Sequence, residues 1–85
     1  MTEREIAIQL KNGLEARPVA MLVQLASQFD SEVYIESEGR KVNAKSIMGM
    51  MSLGLGNGEK VNVSAEGKDE VAAVDRIGEY LVSQK

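Results

Sequence analysis

Two stretches of the sequence carry residues whose types and spacing could do chemistry, and the first is NGLEARP at 12–18. Pro18 fixes a helical backbone angle at a first-turn position, so a helix is expected to begin at about Arg17. Amide groups at a helix start attract anions, and a guanidinium can hold phosphate or carboxylate in a bidentate contact. The spacing therefore predicts an anion site. It leaves open whether Glu15 only stabilises the helix start and pairs with Arg17, or belongs to that site.

The second stretch is KSIMGMM at 45–51, where a serine stands directly before a short apolar run. Ser46 suits the N-cap position of a short helix over 46–53. A phosphate on its hydroxyl would add about −1.5 to −2 charges at the positive end of that helix, beside the Lys45 ammonium. The sequence therefore predicts a capping serine that is also a candidate phosphorylation site.

The short helix has two apolar faces, and a helix of this length cannot bury both against one core. Ile47, Met48 and Met51 share one face by their helical spacing, while Met50 and Leu53 share the opposite one. If the second face points inward, the first forms an exposed, deformable apolar patch of the kind on which protein partners dock. Burial of both faces by some other arrangement stays open at this point.

The composition excludes several chemistries. The chain has no histidine, which excludes an imidazole base, nucleophile, phosphate carrier or metal ligand, and it has no cysteine, which excludes thiol chemistry. A formal net charge of −3 argues against binding to a nucleic-acid backbone and favours a protein or a small anion as partner. No ligand spacing for calcium or zinc occurs, and the glycine-rich GLGNG at 54–58 is expected to be a turn.

Length and hydropathy predict the organisation and location of the chain. Eighty-five residues predict one domain over 1–85. No apolar run approaches the roughly 18 residues that a membrane-spanning helix needs. The amino-terminal MTEREIAIQL lacks the pattern of a signal peptide, and the absence of cysteine fits a reducing compartment, so a cytoplasmic location is expected.

The elements that must position the chemical groups follow from apolar periodicity. Alternation predicts strands at 5–10, 32–37, 41–44 and 60–67. Helical spacing predicts one helix from about Arg17 to Asp30, and a last helix capped by Asp69 whose buried face begins at Val71. With the short helix the order is βαββαβα. This order predicts a two-layer α+β domain, in which three helices cover one face of a four-stranded antiparallel sheet and the other face meets water.

Taken together, NGLEARP at 12–18 and KVNAKSIMGMMSLGL at 41–55 resemble the HPr family, the small phosphocarriers of the bacterial sugar phosphotransferase system. The resemblance covers nearly the whole chain and implies the open-faced β-sandwich of that family. In the family, the position of Glu15 carries a histidine that receives phosphate from enzyme I, assisted by the arginine that corresponds to Arg17. Because a glutamate forms no phosphohistidine, the resemblance implies that the relay is absent here.

The loss of the histidine and the presence of Ser46 resemble the Crh branch of the family, the catabolite repression HPr proteins, which usually have glutamine where Glu15 stands. This resemblance implies a non-enzymatic protein without cofactor or metal. HPr kinase/phosphorylase would phosphorylate Ser46, and the product would be a corepressor of the regulator CcpA in carbon catabolite repression. The partner-binding residues would then be Glu15, Arg17, Lys45, Ile47, Met48 and Met51.

Two further expectations come from the same resemblance. The alternative function is an HPr-like protein that docks on enzyme I or on sugar permeases, either inertly or because Glu15 imitates the charge of a phosphohistidine. Crh is also a family member able to exchange its first strand between protomers. A homodimer of that kind would place its hinge in the turn at 11–14.

Overall fold

A computed structural model describes residues 1–10, 16–54, 56 and 58–83 of the chain. Its element order is βαββαβα, which confirms the predicted order. Glu15 and the turn at 11–14 lie outside the described residues. The elements are β1 (Thr2–Ala7), α1 (Ala16–Ser27), β2 (Glu32–Ser37), β3 (Arg40–Asn43), α2 (Ile47–Met51), β4 (Lys60–Glu66) and α3 (Glu70–Leu81).

The strands form a four-stranded antiparallel sheet in the order β1-β4-β2-β3. Strands β2 and β3 are a hairpin whose turn residues, Glu38 and Gly39, have φ angles of 51° and 81°. Two consecutive left-handed residues match the right-handed twist of the flanking strands, and glycine adopts this conformation without strain. The predicted hairpin is therefore confirmed.

The core lies between one face of the sheet and the helices. The opposite face carries Glu5, Asn62 and Glu36 side by side on β1, β4 and β2, and all three are at least partly exposed. The predicted two-layer α+β architecture with one wet face is thus confirmed. The buried apolar side chains are Ile6, Ile8, Leu10, Val19, Leu22, Ala26, Val33, Ile35, Ala44, Met50, Val61, Val63, Ala65, Ala73, Val74, Ile77 and Leu81.

The first strand lies earlier in the chain than the predicted range of 5–10. Ile8 and Leu10 are buried as expected, but they follow the end of β1. The Ile8 and Gln9 amides donate to the carbonyl oxygens of Glu59 and Leu81, at 2.9 and 2.7 Å. Alternation identified the buried side chains correctly. Alternation could not identify the residues that pair in the sheet. The polar residues at 2–4 belong to β1 because their backbones pair with β4, which side-chain hydropathy does not report.

The last helix corrects two details of the sequence analysis. Val71 is 59% exposed, so its assignment to the buried face is wrong. At about 100° per residue, Val71 lies at the border of the stripe that Ala73, Ile77 and Leu81 bury against the sheet. Asp69 occupies the N-cap position, but its side chain makes no capping hydrogen bond to the helix.

The Asp69 carboxylate instead holds the chain at 30–31. It accepts hydrogen bonds from the backbone amides of Asp30 and Ser31, both at 2.9 Å, and from the Ser31 hydroxyl. These bonds lower the pKa of Asp69, with the Ser31 hydroxyl contributing most. The residue predicted as a local cap is therefore a connection between the start of α3 and the segment that leads into β2.

Candidate functional site

Ser46 reaches the start of α2 through a tight turn after β3. The Asn43 side-chain oxygen accepts a hydrogen bond from the Lys45 amide at 2.8 Å, and the Asn43 carbonyl accepts one from the Ser46 amide at 3.0 Å. The Ser46 backbone is extended, with φ −109° and ψ 115°, and its hydroxyl oxygen accepts from the Gly49 amide at 3.2 Å. The predicted N-cap is confirmed, since this is the geometry in which a serine satisfies a free amide of the first turn.

Gly49 is the residue of the first helical turn that lies next to the Ser46 hydroxyl. The Ser46 side chain is only partly buried. A Cβ placed on Gly49 would lie 3.4 Å from Ser46 Oγ, at the near limit of ordinary van der Waals contact. A side chain at position 49 would therefore pack directly against the hydroxyl.

Helix α2 presents two different faces. Met50 is completely buried and Leu53, just beyond the helix, packs partly against the core. On the other side Ile47, Met48 and Met51 are 49%, 85% and 50% exposed. The prediction of an exposed face is confirmed, and burial of both faces is ruled out for this structure. We call Ile47, Met48 and Met51 the α2 patch; its use by a partner stays a prediction.

The Lys45 side chain binds the end of α1 and not Ser46. Its ammonium group donates to the Phe29 carbonyl oxygen at 2.8 Å, just beyond the end of α1. A cation at this position stabilises free carbonyl groups at a helix end. Lys45 therefore connects α1 to the turn before α2, and its predicted role beside a phosphate is not tested by this contact.

Arg40 is a cation near the site that the sequence analysis did not identify. Its guanidinium donates to the Ser52 carbonyl oxygen at 3.0 Å and to the Ser52 hydroxyl at 3.1 Å, at the carboxyl end of α2. The contact spans 12 residues between an edge strand and a helix end. No local sequence signal indicates it, because the contact depends on how β3 packs beside α2.

Arg17 lies exposed in the first turn of α1, and α1 packs against α2. Within the described part of the chain Arg17 forms no salt bridge. It is the only charged residue of α1, and α2 has none. The described residues of these two helices therefore include no acidic side chain, and the cations Lys45 and Arg40 lie close to α2.

The α2 patch is a surface and not a pocket. Two grooves of the described chain lie between α1 and α3, past Met21 and Tyr80, and between β1 and α3, past Arg4 and Gly78. Neither Ser46 nor the patch lines them. An exposed apolar face suits a protein partner better than a small molecule, which binds in concave sites.

Some charged groups on β1 and α3 have structural partners. Glu70 accepts hydrogen bonds from the Thr2 hydroxyl at 2.6 Å and the Gly67 amide at 3.2 Å, which lower its pKa, and Arg4 pairs with Asp75 at 2.8 Å. These contacts tie β1 to α3. Among the residues that the structure describes, no group of three or more acidic side chains could hold a metal ion, and no helix has the length and hydropathy to span a membrane.

Fold and site define a small two-layer protein that presents a capping serine beside an exposed apolar helix face. The family model described as "PTS HPr component phosphorylation site" matches residues 2–83. The chain therefore belongs to the HPr family of the phosphotransferase system.

The relatives that resemble this chain include HPr-like proteins named Crh. It is 49% identical to the HPr-like protein Crh of Halalkalibacterium halodurans over 81 residues, 95% of this chain and 96% of that protein. It is 46% identical to Crh of Bacillus subtilis over 81 residues, 95% of each chain.

Solved structures confirm the fold. The crystal structure of HPr from Bacillus anthracis matches with a TM-score of 0.92 at 42% identity, covering 94% of this chain and 95% of that one. Crystalline Crh of Bacillus subtilis, described as a swapped and intertwined dimer, matches with a TM-score of 0.79 at 44% identity, covering 99% and 97%.

Proposed function

We propose that this chain is a non-catalytic regulatory protein that phosphorylation at Ser46 switches into a corepressor of a CcpA-type regulator in carbon catabolite repression. The observation that carries the proposal is the partly exposed Ser46 at the head of α2, directly beside the α2 patch. The similarity to proteins named Crh supports it, since the solved structure of one is described as a catabolite repression protein.

The switch would act by adding charge at the edge of an apolar surface. A phosphate on Ser46 adds about −1.5 to −2 charges and three acceptor oxygens beside the free amides of the first turn of α2. A regulator with arginine or lysine side chains opposite the phosphate would gain charge-assisted hydrogen bonds. The α2 patch would supply the apolar area that a charge contact lacks, with Arg17 and Lys45 at its border.

The phosphate relay of the family is not part of this proposal. The chain has no histidine, and position 15 is a glutamate. A phosphate-donating partner that fits a histidine aligns its phosphate with an imidazole nitrogen. The carboxylate oxygen of a glutamate does not lie at the same position. Control of the protein would therefore rest on Ser46, and the kinase and regulator would meet it in the cytoplasm.

The first experiment is phosphorylation by HPr kinase/phosphorylase with ATP, followed by intact-mass measurement. The wild type should gain one phosphate, and Ser46→Ala should gain none. Ser52→Ala is the matched control, because Ser52 is exposed and lies at the other end of the same helix, where its hydroxyl donates to the Gly49 carbonyl at 2.6 Å. Phosphorylation that survives in Ser46→Ala would refute the switch.

The alternative is docking on enzyme I or a sugar permease, and the exposed Arg17, two residues after Glu15 in the sequence, is the observation that favours it. A pull-down with enzyme I and with the regulator, before and after phosphorylation, separates the two functions. Binding to the regulator only after phosphorylation supports the corepressor. Binding to enzyme I that Glu15→Gln abolishes supports a charge mimic instead.

We also propose that a homodimer can form by exchange of β1. This strand is at the edge of the sheet and pairs only with β4, so an exchanged copy would repeat the same ladder. The swapped dimer described for Bacillus subtilis Crh supports the proposal. Size-exclusion chromatography with light scattering over a concentration series tests it: a monomer at every concentration would refute it.

A further inference from the structure

The methionines of this chain differ sharply in exposure. The sequence has five methionines and no cysteine, so thioethers are its only sulfur groups. Four are half-exposed or more, and one is completely buried. Their exposed fractions are 68% for Met1, 51% for Met21, 85% for Met48, 0% for Met50 and 50% for Met51.

We propose that Met48 and Met51 are a redox modification site, at which a peroxide converts the α2 patch from an apolar surface to a polar one. The thioether sulfur attacks one peroxide oxygen, so that an S–O bond forms and the O–O bond breaks. The sulfur loses two electrons and becomes a sulfoxide, and the second oxygen leaves with both protons as water. Sulfoxide reductases that use thiols can reverse this reaction.

The position of the two sulfurs decides what their oxidation changes. Met48 and Met51 are two of the three residues of the α2 patch, and Ile47 is the third. A sulfoxide is a strong hydrogen-bond acceptor, and burying it against an apolar partner leaves that acceptor without a donor. Oxidation should therefore weaken any docking that covers the α2 patch.

The arrangement of α2 should keep the fold intact while the surface changes. Met50 alone of the three α2 methionines packs in the core, where a peroxide reaches it only when the structure opens locally. Mild oxidation should thus modify the outer face of the helix and leave the packing under it unchanged. The modification would then alter recognition without unfolding the protein.

The modification itself is tested on the full-length protein with hydrogen peroxide, by following each methionine with peptide mass spectrometry. Met48 is expected to react at least about tenfold faster than Met50, and Met1 gives the rate of a methionine far from α2. Retention on a hydrophobic-interaction column should fall as Met48 and Met51 oxidise. Oxidation of Met50 at the rate of Met48, or unchanged retention, would overturn the proposal.

The consequence for docking rests on the proposed function and uses the Ser46-phosphorylated protein. Its binding to the regulator should fall about tenfold after oxidation, which corresponds to about 1.4 kcal/mol. The control is Met48→Leu combined with Met51→Leu, which keeps the apolar volume and removes the two sulfurs. This variant should bind before and after peroxide treatment with equal affinity.

The outcomes separate the two proposals. An equal loss of binding in the double-leucine variant would overturn the assignment to Met48 and Met51. If the unoxidised phosphoprotein fails to bind the regulator at all, the corepressor function is refuted. In that case the oxidation order and the column retention still decide whether the modification site exists.

Discussion

Substitutions on the two faces of α2 should have different effects: those at Met50 should lower stability, and those at Met48 should weaken binding. Met50 is 0% exposed in the core, whereas Met48 is 85% exposed on the opposite face. Met50→Ala removes buried apolar atoms and leaves a cavity, a change that costs about 2–5 kcal/mol in protein cores. Because α2 has only five residues and can settle partly into the space, we expect about 2–3 kcal/mol. Met48→Ala removes a solvated side chain and should change stability by less than about 0.5 kcal/mol.

The assay is urea unfolding followed by circular dichroism, with thermal unfolding beside it. For a domain of this size, the expected loss in Met50→Ala lowers the melting temperature by about 10–20 °C. Met50→Leu is the matched control, since a swap of similar volume should cost less than about 1.5 kcal/mol. Binding of the phosphorylated protein to the regulator should show the reverse order, with Met48→Ala weakening it about five- to tenfold.

Two outcomes would contradict these expectations for the α2 faces. If Met48→Ala destabilises the protein as much as Met50→Ala, the assignment of the two α2 faces is wrong. If Met48→Ala leaves both stability and binding unchanged, the face is exposed but is not a docking surface. The two measurements together therefore test the geometry and the proposed use of the α2 patch independently.

Three further predictions concern contacts at the start of α3 and at the start of α2. Gly67→Ala should destabilise the protein by about 1–3 kcal/mol in urea unfolding, because the new Cβ would lie 2.5 Å from Ser31 Oγ and 2.7 Å from Ser31 Cα at a φ of 151°; wild-type stability would contradict this steric reason. The hydrogen bonds that lower the pKa values of Asp69 and Glu70 stabilise the fold above the ordinary carboxylate pKa, and this stabilisation should disappear as the pH falls below about 4. Unfolding curves between pH 7 and pH 2 test this, and Asp69→Asn should flatten the acid limb. Ser46→Ala should cost about 0.5–1 kcal/mol through loss of the N-cap and Ser46→Gly only a few tenths; unchanged stability of Ser46→Ala, measured by thermal unfolding, would show that the hydroxyl does not support α2.

Local patterns were sufficient for much of the fold and part of the site. The hairpin, the Ser46 cap and the opposed faces of α2 depend on residues within a few positions of one another, where side-chain periodicity and turn preferences act directly. The burial of Ile8 and Leu10 was also correct, because alternation reports which side chains leave water. The family resemblance, confirmed by the comparisons, added the likeness to Crh that the residue pattern alone could not supply.

Other features required contacts between residues far apart in the chain. The Asp69 carboxylate binds the segment at 30–31, Lys45 reaches the carbonyl of Phe29, and Arg40 reaches Ser52. A sequence pattern assigns each of these side chains to its own element. Only the packing of helices on the sheet brings the distant partner within hydrogen-bond distance.

The sequence by itself determined that this protein has no imidazole chemistry and that it carries a serine at the start of a short apolar segment. These are matters of residue identity and local spacing, which no fold can change. The tertiary structure decided which face of helix α2 meets water. Burial of Met50 in the shared core turns Ile47, Met48 and Met51 outward beside Ser46, because so short a helix can bury only one side.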